Sequence, residues 1–201
     1  MSTAEMMGRI GEASPRLKAR IAGLFYLLTF LTGGAALFVR GRLGFAAGLI
    51  AGACYIAVTL LFYGIFKPVN RNLSLLAAFI SLVGILIGPL SRFHLAPSKL
   101  NPLVFFGFYC LLIGYLIFRS TFLPRIIGVL EVLAGLGYLT LLWRPLAHYL
   151  YPYNLALAGP GEISPLLWLL VVGVNVERWK EQASAAGDLG SQRAMEGREG
   201  D

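Results

Sequence analysis

Residues 119–143 read RSTFLPRIIGVLEVLAGLGYLTLLW. A short basic loop holding Arg119, Pro124 and Arg125 opens the stretch, and an apolar run from Ile126 to Trp143 follows it. A run of that length bounded by charged residues is the pattern of a helix crossing a hydrocarbon layer about 30 Å thick. One acid, Glu131, lies inside the run. Between Ala13 and Val176 the only other acid is Glu162. A charged carboxylate in hydrocarbon costs at least a few kcal/mol. A neutral Glu131, turned into a bundle and hydrogen-bonded there, is therefore expected, with Glu131→Leu costing on the order of 1–3 kcal/mol for the partner left unpaired.

Working outward, the same pattern recurs. Of 201 residues, 57% are hydrophobic and 13% charged, whereas a soluble domain carries roughly 25% charged residues. That is too little charge to cover a soluble surface, so the chain reads as a multi-pass membrane protein. Apolar runs cover 21–39, 43–66, 73–90, 103–118, 126–143 and 163–176. The fourth and sixth are short against the roughly 20 residues of a spanning helix, which keeps open a five-helix arrangement with the last run lying on the surface. The preferred fold class is all-α, a bundle of six transmembrane helices over 21–180, with polar tails at 1–20 and 181–201. The second tail, small and polar after Gln182, reads as disordered. The tyrosine-rich stretch 144–161, RPLAHYLYPYNLALAGPG, reads as interfacial rather than spanning.

The net charge of +7 does not indicate nucleic acid, because the basic residues mark the loops between runs. If the N-terminus lies inside, twelve of the 17 Lys and Arg fall on the inner side and five on the outer. That bias places both termini in the cytoplasm of a cell inner membrane. Cys54 and Cys110 stand in the middle of apolar runs and read as packing residues, not as a disulfide or metal pair.

Small residues recur at helix-packing intervals. Gly44, Gly48 and Gly52 form one stripe, Ser81, Gly84 and Gly88 belong to a second, and Gly128, Glu131, Gly135 and Tyr138 share a face. Such stripes let membrane helices approach closely, or they line a polar cavity. On the first reading Gly48 and Gly52 are close-contact positions.

For chemistry, the sequence offers two carboxyls at different levels. Glu131, six residues into its run, lies roughly 9 Å above the inner edge. Glu162 begins the last run at the outer edge, so the two differ in depth by roughly 20 Å of a 30 Å layer and do not form an acid–base pair. Candidate partners for Glu131 are Tyr26, Tyr63 and Tyr115, with Tyr138 on its own face. At the outer edge Arg92, His94, Arg144, His148 and Glu162 form a second candidate cluster, whose spacing matches no compact metal motif. No phosphate-cradling glycine loop, CxxC, HExxH or GxSxG is present, and no cofactor or catalytic residue is assigned.

Three stretches carry a resemblance: ARIAGLFYLLTFLTGG at 19–34, FRSTFLPRIIGVLEVLAGLGYL at 118–139 and GEISPLLWLLVVGV at 161–174. In order and spacing the chain resembles the bacterial multi-pass family known as domain of unknown function 4386. The resemblance implies a six-helix integral membrane protein and carries over no catalytic residue. The second and third runs are its least family-like part. The expected partners are membrane lipids and a small-molecule or lipidic ligand, with the oligomeric state left open. The preferred function is non-enzymatic, either binding or transport of such a ligand or an accessory role. The alternative is an intramembrane enzyme acting on a lipid-linked substrate at the outer interface. A cavity reaching Glu131 would favour binding, a closed bundle the accessory role, and convergence of the outer cluster the enzyme.

Overall fold

The computed structural model describes residues 14–92, 95 and 101–199, except the side chains of Arg92 and of residues beyond 188. The described chain is helical: α1 Pro15–Phe38, α2 Gly41–Phe66, α3 Arg71–Arg92, α4 Pro102–Arg119 and α5 Arg125–Leu139 with a 3-10 turn Thr140–Leu142. Then come α6 Arg144–Leu150, α7 Tyr153–Ala156, α8 Ala158–Val171 and α9 Val176–Glu199. Six segments are long and apolar enough to cross a membrane, the last of them spanning Tyr153–Val171. The chain is a six-helix bundle of the multi-pass membrane class, and the five-helix alternative falls.

Local sequence sets the helix starts. The Ser14 hydroxyl accepts the Leu17 amide at 3.3 Å ahead of Pro15, and the Asn101 side chain accepts the Leu103 amide at 3.0 Å ahead of Pro102. Both pair a capping side chain with a proline whose missing N–H has no intrahelical partner to lose. Gly41, at φ +77°, makes the sharp turn between α1 and α2. Gly44 packs against the Val39 carbonyl of that turn, so its smallness serves the connection and not a long interface.

The six helices close into a ring. α1 packs on α2, α2 on α3, α3 on α4, α4 on α5, α5 on α8, and α8 returns to α1. Arg16 Nε donates to the Val172 carbonyl at 3.3 Å, and Trp179 Nε1 to the Ile65 carbonyl at 2.9 Å. The start of α1, the end of α2 and the end of α8 therefore meet at one end of the bundle. Large side chains such as Leu31, Leu60, Phe79 and Ile126 point outward and are exposed, as the surface of a helix bundle in lipid requires.

Where the helices touch most closely, glycine is the reason. A Cβ on Gly114 would stand 2.7 Å from the Gly128 carbonyl, and one on Gly135 2.8 Å from that of Gly107. Gly128 and Gly135 thus hold the α4–α5 seam. Gly23 brings α1 onto the α8 backbone, where a Cβ would come within 2.6 Å of the Leu170 amide. Gly84 is close to Phe105, at 3.1 Å. The expectation for Gly48 and Gly52 is corrected. Their nearest neighbours, Ala36 at 3.9 Å and Ile85 at 3.6 Å, are ordinary contacts, and a Cβ on Gly88 meets nothing within 4 Å. Gly48 and Gly88 are exposed, and α2 meets α3 at other positions such as Thr59 and Ser81.

The tail after Gln182 also differs from expectation. α9 is helical to Glu199. It starts at Asn175, whose side chain accepts the Arg178 amide at 3.2 Å. It docks through Gln182, whose side-chain oxygen accepts from the Thr121 amide and hydroxyl, both at 3.1 Å. These contacts hold its first turns to the 119–122 loop.

Candidate functional site

Tyrosines and acids converge in the interior of the ring. Glu162 is the main correction. It is buried in the middle of the last spanning segment, not at its outer edge. The segment begins at Tyr153, so part of the stretch read as interfacial lies within the span. Close packing fixes the depth. Gly161 sits against Ala134 and the Leu130 carbonyl, the latter 2.7 Å from where its Cβ would be, and Gly137 sits against the Asn154 carbonyl. Antiparallel α5 and α8 thus bring residue 162 level with the Glu131 turn. The two carboxyls are electrostatic neighbours, and the expected separation of some 20 Å does not exist.

Local backbone chemistry supports that placement. Pro165 lacks the N–H that would bond the Gly161 carbonyl in a regular helix. The Ser164 hydroxyl donates to that carbonyl instead, at 3.1 Å. At the other end of the contact, Asn154 Nδ2 donates to Thr140 Oγ1 at 2.9 Å, and Thr140 Oγ1 donates to the Gly137 carbonyl at 2.7 Å. These bonds tie the end of α5 to the start of the last span.

Tyr138 Oη donates a hydrogen bond to Glu162 Oε1. Glu131 is buried, as expected, but the group against its carboxyl is the Cys110 thiol of α4. The α4–α5 backbones approach too closely for a tyrosine to fit between them. Tyr115 instead points outward, 47% exposed, beside Phe118 and Val129 in a shallow surface groove. Tyr63 is half-buried on the flank of α2, where Phe62 takes the interior position. Tyr26 is buried and faces the two acids.

Two further tyrosines lie in this interior: Tyr55, which the sequence places on the stripe of the α2 glycines and which lines the cavity, and Tyr109, which the sequence did not single out and which does not line it. Tyr55 and Tyr109 are buried, with ring centroids 6.0 Å apart. The aromatic chain continues from Tyr55 to Tyr26 at 5.8 Å and from Phe106 to Tyr138 at 5.3 Å. The hydroxyls of Tyr55 and Tyr109 are buried, and neither reaches hydrogen-bond geometry with a protein group. The Thr59 and Ser81 hydroxyls bond to each other at 2.7 Å. The signal for Tyr55 was its place on the stripe carrying the α2 glycines.

Above this floor is a cavity of about 490 Å³. Its deep end is Tyr26, Tyr55, Ser81, Tyr138 and Glu162; its walls include Phe30, Gly33, Gly34 and Phe106. It reaches the surface at Leu37 and Leu103. From Tyr26 to Leu37 the α1 wall rises roughly 16 Å. The outer cluster does not assemble around it. Arg144 and His148 are exposed on α6, Glu162 is inside, and His94 and the Arg92 side chain lie outside the described residues. Among the described residues no three His, Cys, Asp or Glu side chains group to hold a metal.

Fold and cavity define a multi-pass integral membrane protein with a buried polar floor. The chain belongs to the family of domain of unknown function 4386 (DUF4386), which matches residues 40–97 and 98–173. The match includes α2 and α3, so these are not outside the family pattern; the 19–34 stretch is what falls beyond it. An "Uncharacterized protein" from Archaeoglobus fulgidus is 26% identical over 126 residues, covering 59% of this chain and 76% of that one. No solved structure matches the chain significantly.

Proposed function

We propose that the protein is a non-enzymatic binder or carrier of a small amphipathic molecule in the inner membrane, with both termini cytoplasmic. The observation that carries this reading is the cavity, which reaches Glu162 rather than Glu131: apolar walls above a floor that includes Tyr26, Tyr55 and the Tyr138–Glu162 pair. A ligand site of this kind has a mostly apolar lining and a few convergent polar groups that fix orientation. An accessory protein that only packs against a partner has no need of such a volume. The enzyme alternative is not supported, because Glu162 is buried while Arg144 and His148 stand exposed on α6.

Filling the cavity tests the reading. A Cβ on Gly34 meets nothing within 4 Å, so Gly34→Leu is expected to fold and to occupy the space. Native mass spectrometry of protein in lipid nanodiscs should show a bound small molecule on the unmodified chain and a clear loss of it in Gly34→Leu. Equal occupancy in both, or none in either, sinks the proposal. For orientation, reporter fusions at residue 201 and within 145–160 should report opposite compartments, with the first cytoplasmic.

A further inference from the structure

We infer that the ligand is a lipophilic amine, held with its ammonium group against Glu162 and its apolar body along α1 toward Leu37. This rests on the cavity being a ligand site, as proposed above. The charge argument comes first. The polar floor contains one acid, Glu162, with a second, Glu131, as its electrostatic neighbour. No Lys, Arg or His is among the described residues lining the cavity. An anion would meet the Glu162 carboxyl and no countercharge; a cation would gain a charge-assisted hydrogen bond in a site with little water.

The rings supply a second argument. Tyr26, Phe30, Tyr55, Phe106 and Tyr138 all line the cavity. A cation over aromatic faces is attracted by the ring quadrupole, most strongly when desolvated. The two arguments converge on a head group that donates hydrogen bonds and carries positive charge. The apolar walls require the remainder to be hydrocarbon.

Three probes with one chain and different heads separate the possibilities: dodecylamine, dodecanol and dodecanoate. The full chain in zwitterionic-lipid nanodiscs is titrated with each, and bound probe is counted by native mass spectrometry. Dodecylamine should bind about tenfold or more tighter than dodecanol, a difference near 1.4 kcal/mol, with dodecanoate weakest. Glu162→Gln, checked for folding by thermal unfolding, should bring dodecylamine to within a few-fold of dodecanol. Phe30→Leu removes one ring from the wall and should weaken dodecylamine several-fold while leaving dodecanol unchanged. It decides the matter if Glu162→Gln fails to fold. If dodecanol or dodecanoate binds best, and Gly34→Leu abolishes that binding, the amine inference is overturned and the cavity reading stands. If Gly34→Leu affects no probe, the cavity is not the site and both ideas fail together.

Discussion

The two sides of the ring use the same residue for opposite ends. Along α4 and α5, Gly107, Gly114, Gly128 and Gly135 interlock, and each added Cβ would stand within about 3 Å of the facing backbone. Along the cavity wall of α1, Gly34 faces open space and Gly33 makes only an ordinary contact. In the first region glycine removes volume so that two backbones can meet. In the second it withholds volume so that a space persists. Without a hydrophobic force between helices in lipid, close packing has to hold the bundle. The tight seam supplies that hold, and it also places Glu131 against Cys110. The cavity opens between α1 and the start of α4.

The largest effect that would break this contrast lies in the seam. Gly114→Leu drives a side chain into the Gly128 carbonyl and the Val132 amide and should cost more than about 3 kcal/mol, with Gly114→Ala costing roughly 1–3 kcal/mol. Thermal unfolding in detergent reads both; tolerance of the leucine would mean that α4 and α5 are not in contact. Next is Tyr138→Phe, which removes the donor to Glu162. It should cost on the order of 1–3 kcal/mol for the carboxyl left short of a partner. An unchanged unfolding temperature would mean that another donor takes its place.

Glu131 sharpens the comparison further. Because the group beside it is a thiol, a weak hydrogen-bonding partner, Glu131→Leu should cost about 1 kcal/mol or less, below what the sequence led us to expect. Glu131→Gln should unfold within a degree or two of the unmodified protein. A large loss in Glu131→Leu would point to a stronger partner than Cys110. Smallest of all is Gly48→Ala, which should stabilise by a few tenths to about 1 kcal/mol through helix propensity alone. A destabilisation there would show that α2 packs more closely than its contacts with Ala36 indicate.

The number of spans was legible because each is an apolar run bounded by basic or turn residues. Glu131 was legible as a buried acid for the same reason. Its partner was not. Spacing puts Tyr26, Tyr63 and Tyr115 at a plausible depth, but which face of each helix turns inward depends on packing against neighbours. Packing turns Tyr115 outward and brings Cys110 in. Glu162 was misplaced because residues 153–161, YNLALAGPG, place Tyr153, Asn154 and the Gly159-Pro160-Gly161 turn signal around a short apolar stretch. The last span has a mean hydropathy of 1.2, against 2.4 for α3. Gly161 docks it on α5, a contact that hydropathy along one chain does not contain. The glycine stripes share the difficulty, since their spacing is the same whether the facing helix is near or absent.

The contact between Arg16 and the Val172 carbonyl joins residues 156 positions apart, and Arg20 bonds the Val171 carbonyl across 151. In the order of synthesis, α1 enters the membrane first and its companion α8 last. Throughout the making of the four intervening spans, the α1 face around Gly23 has no α8 to rest on. The ring, and with it the cavity, therefore comes into being only at the final insertion. A chain that stops before residue 158 yields an open arc of helices with two basic side chains still waiting for the carbonyls they cap.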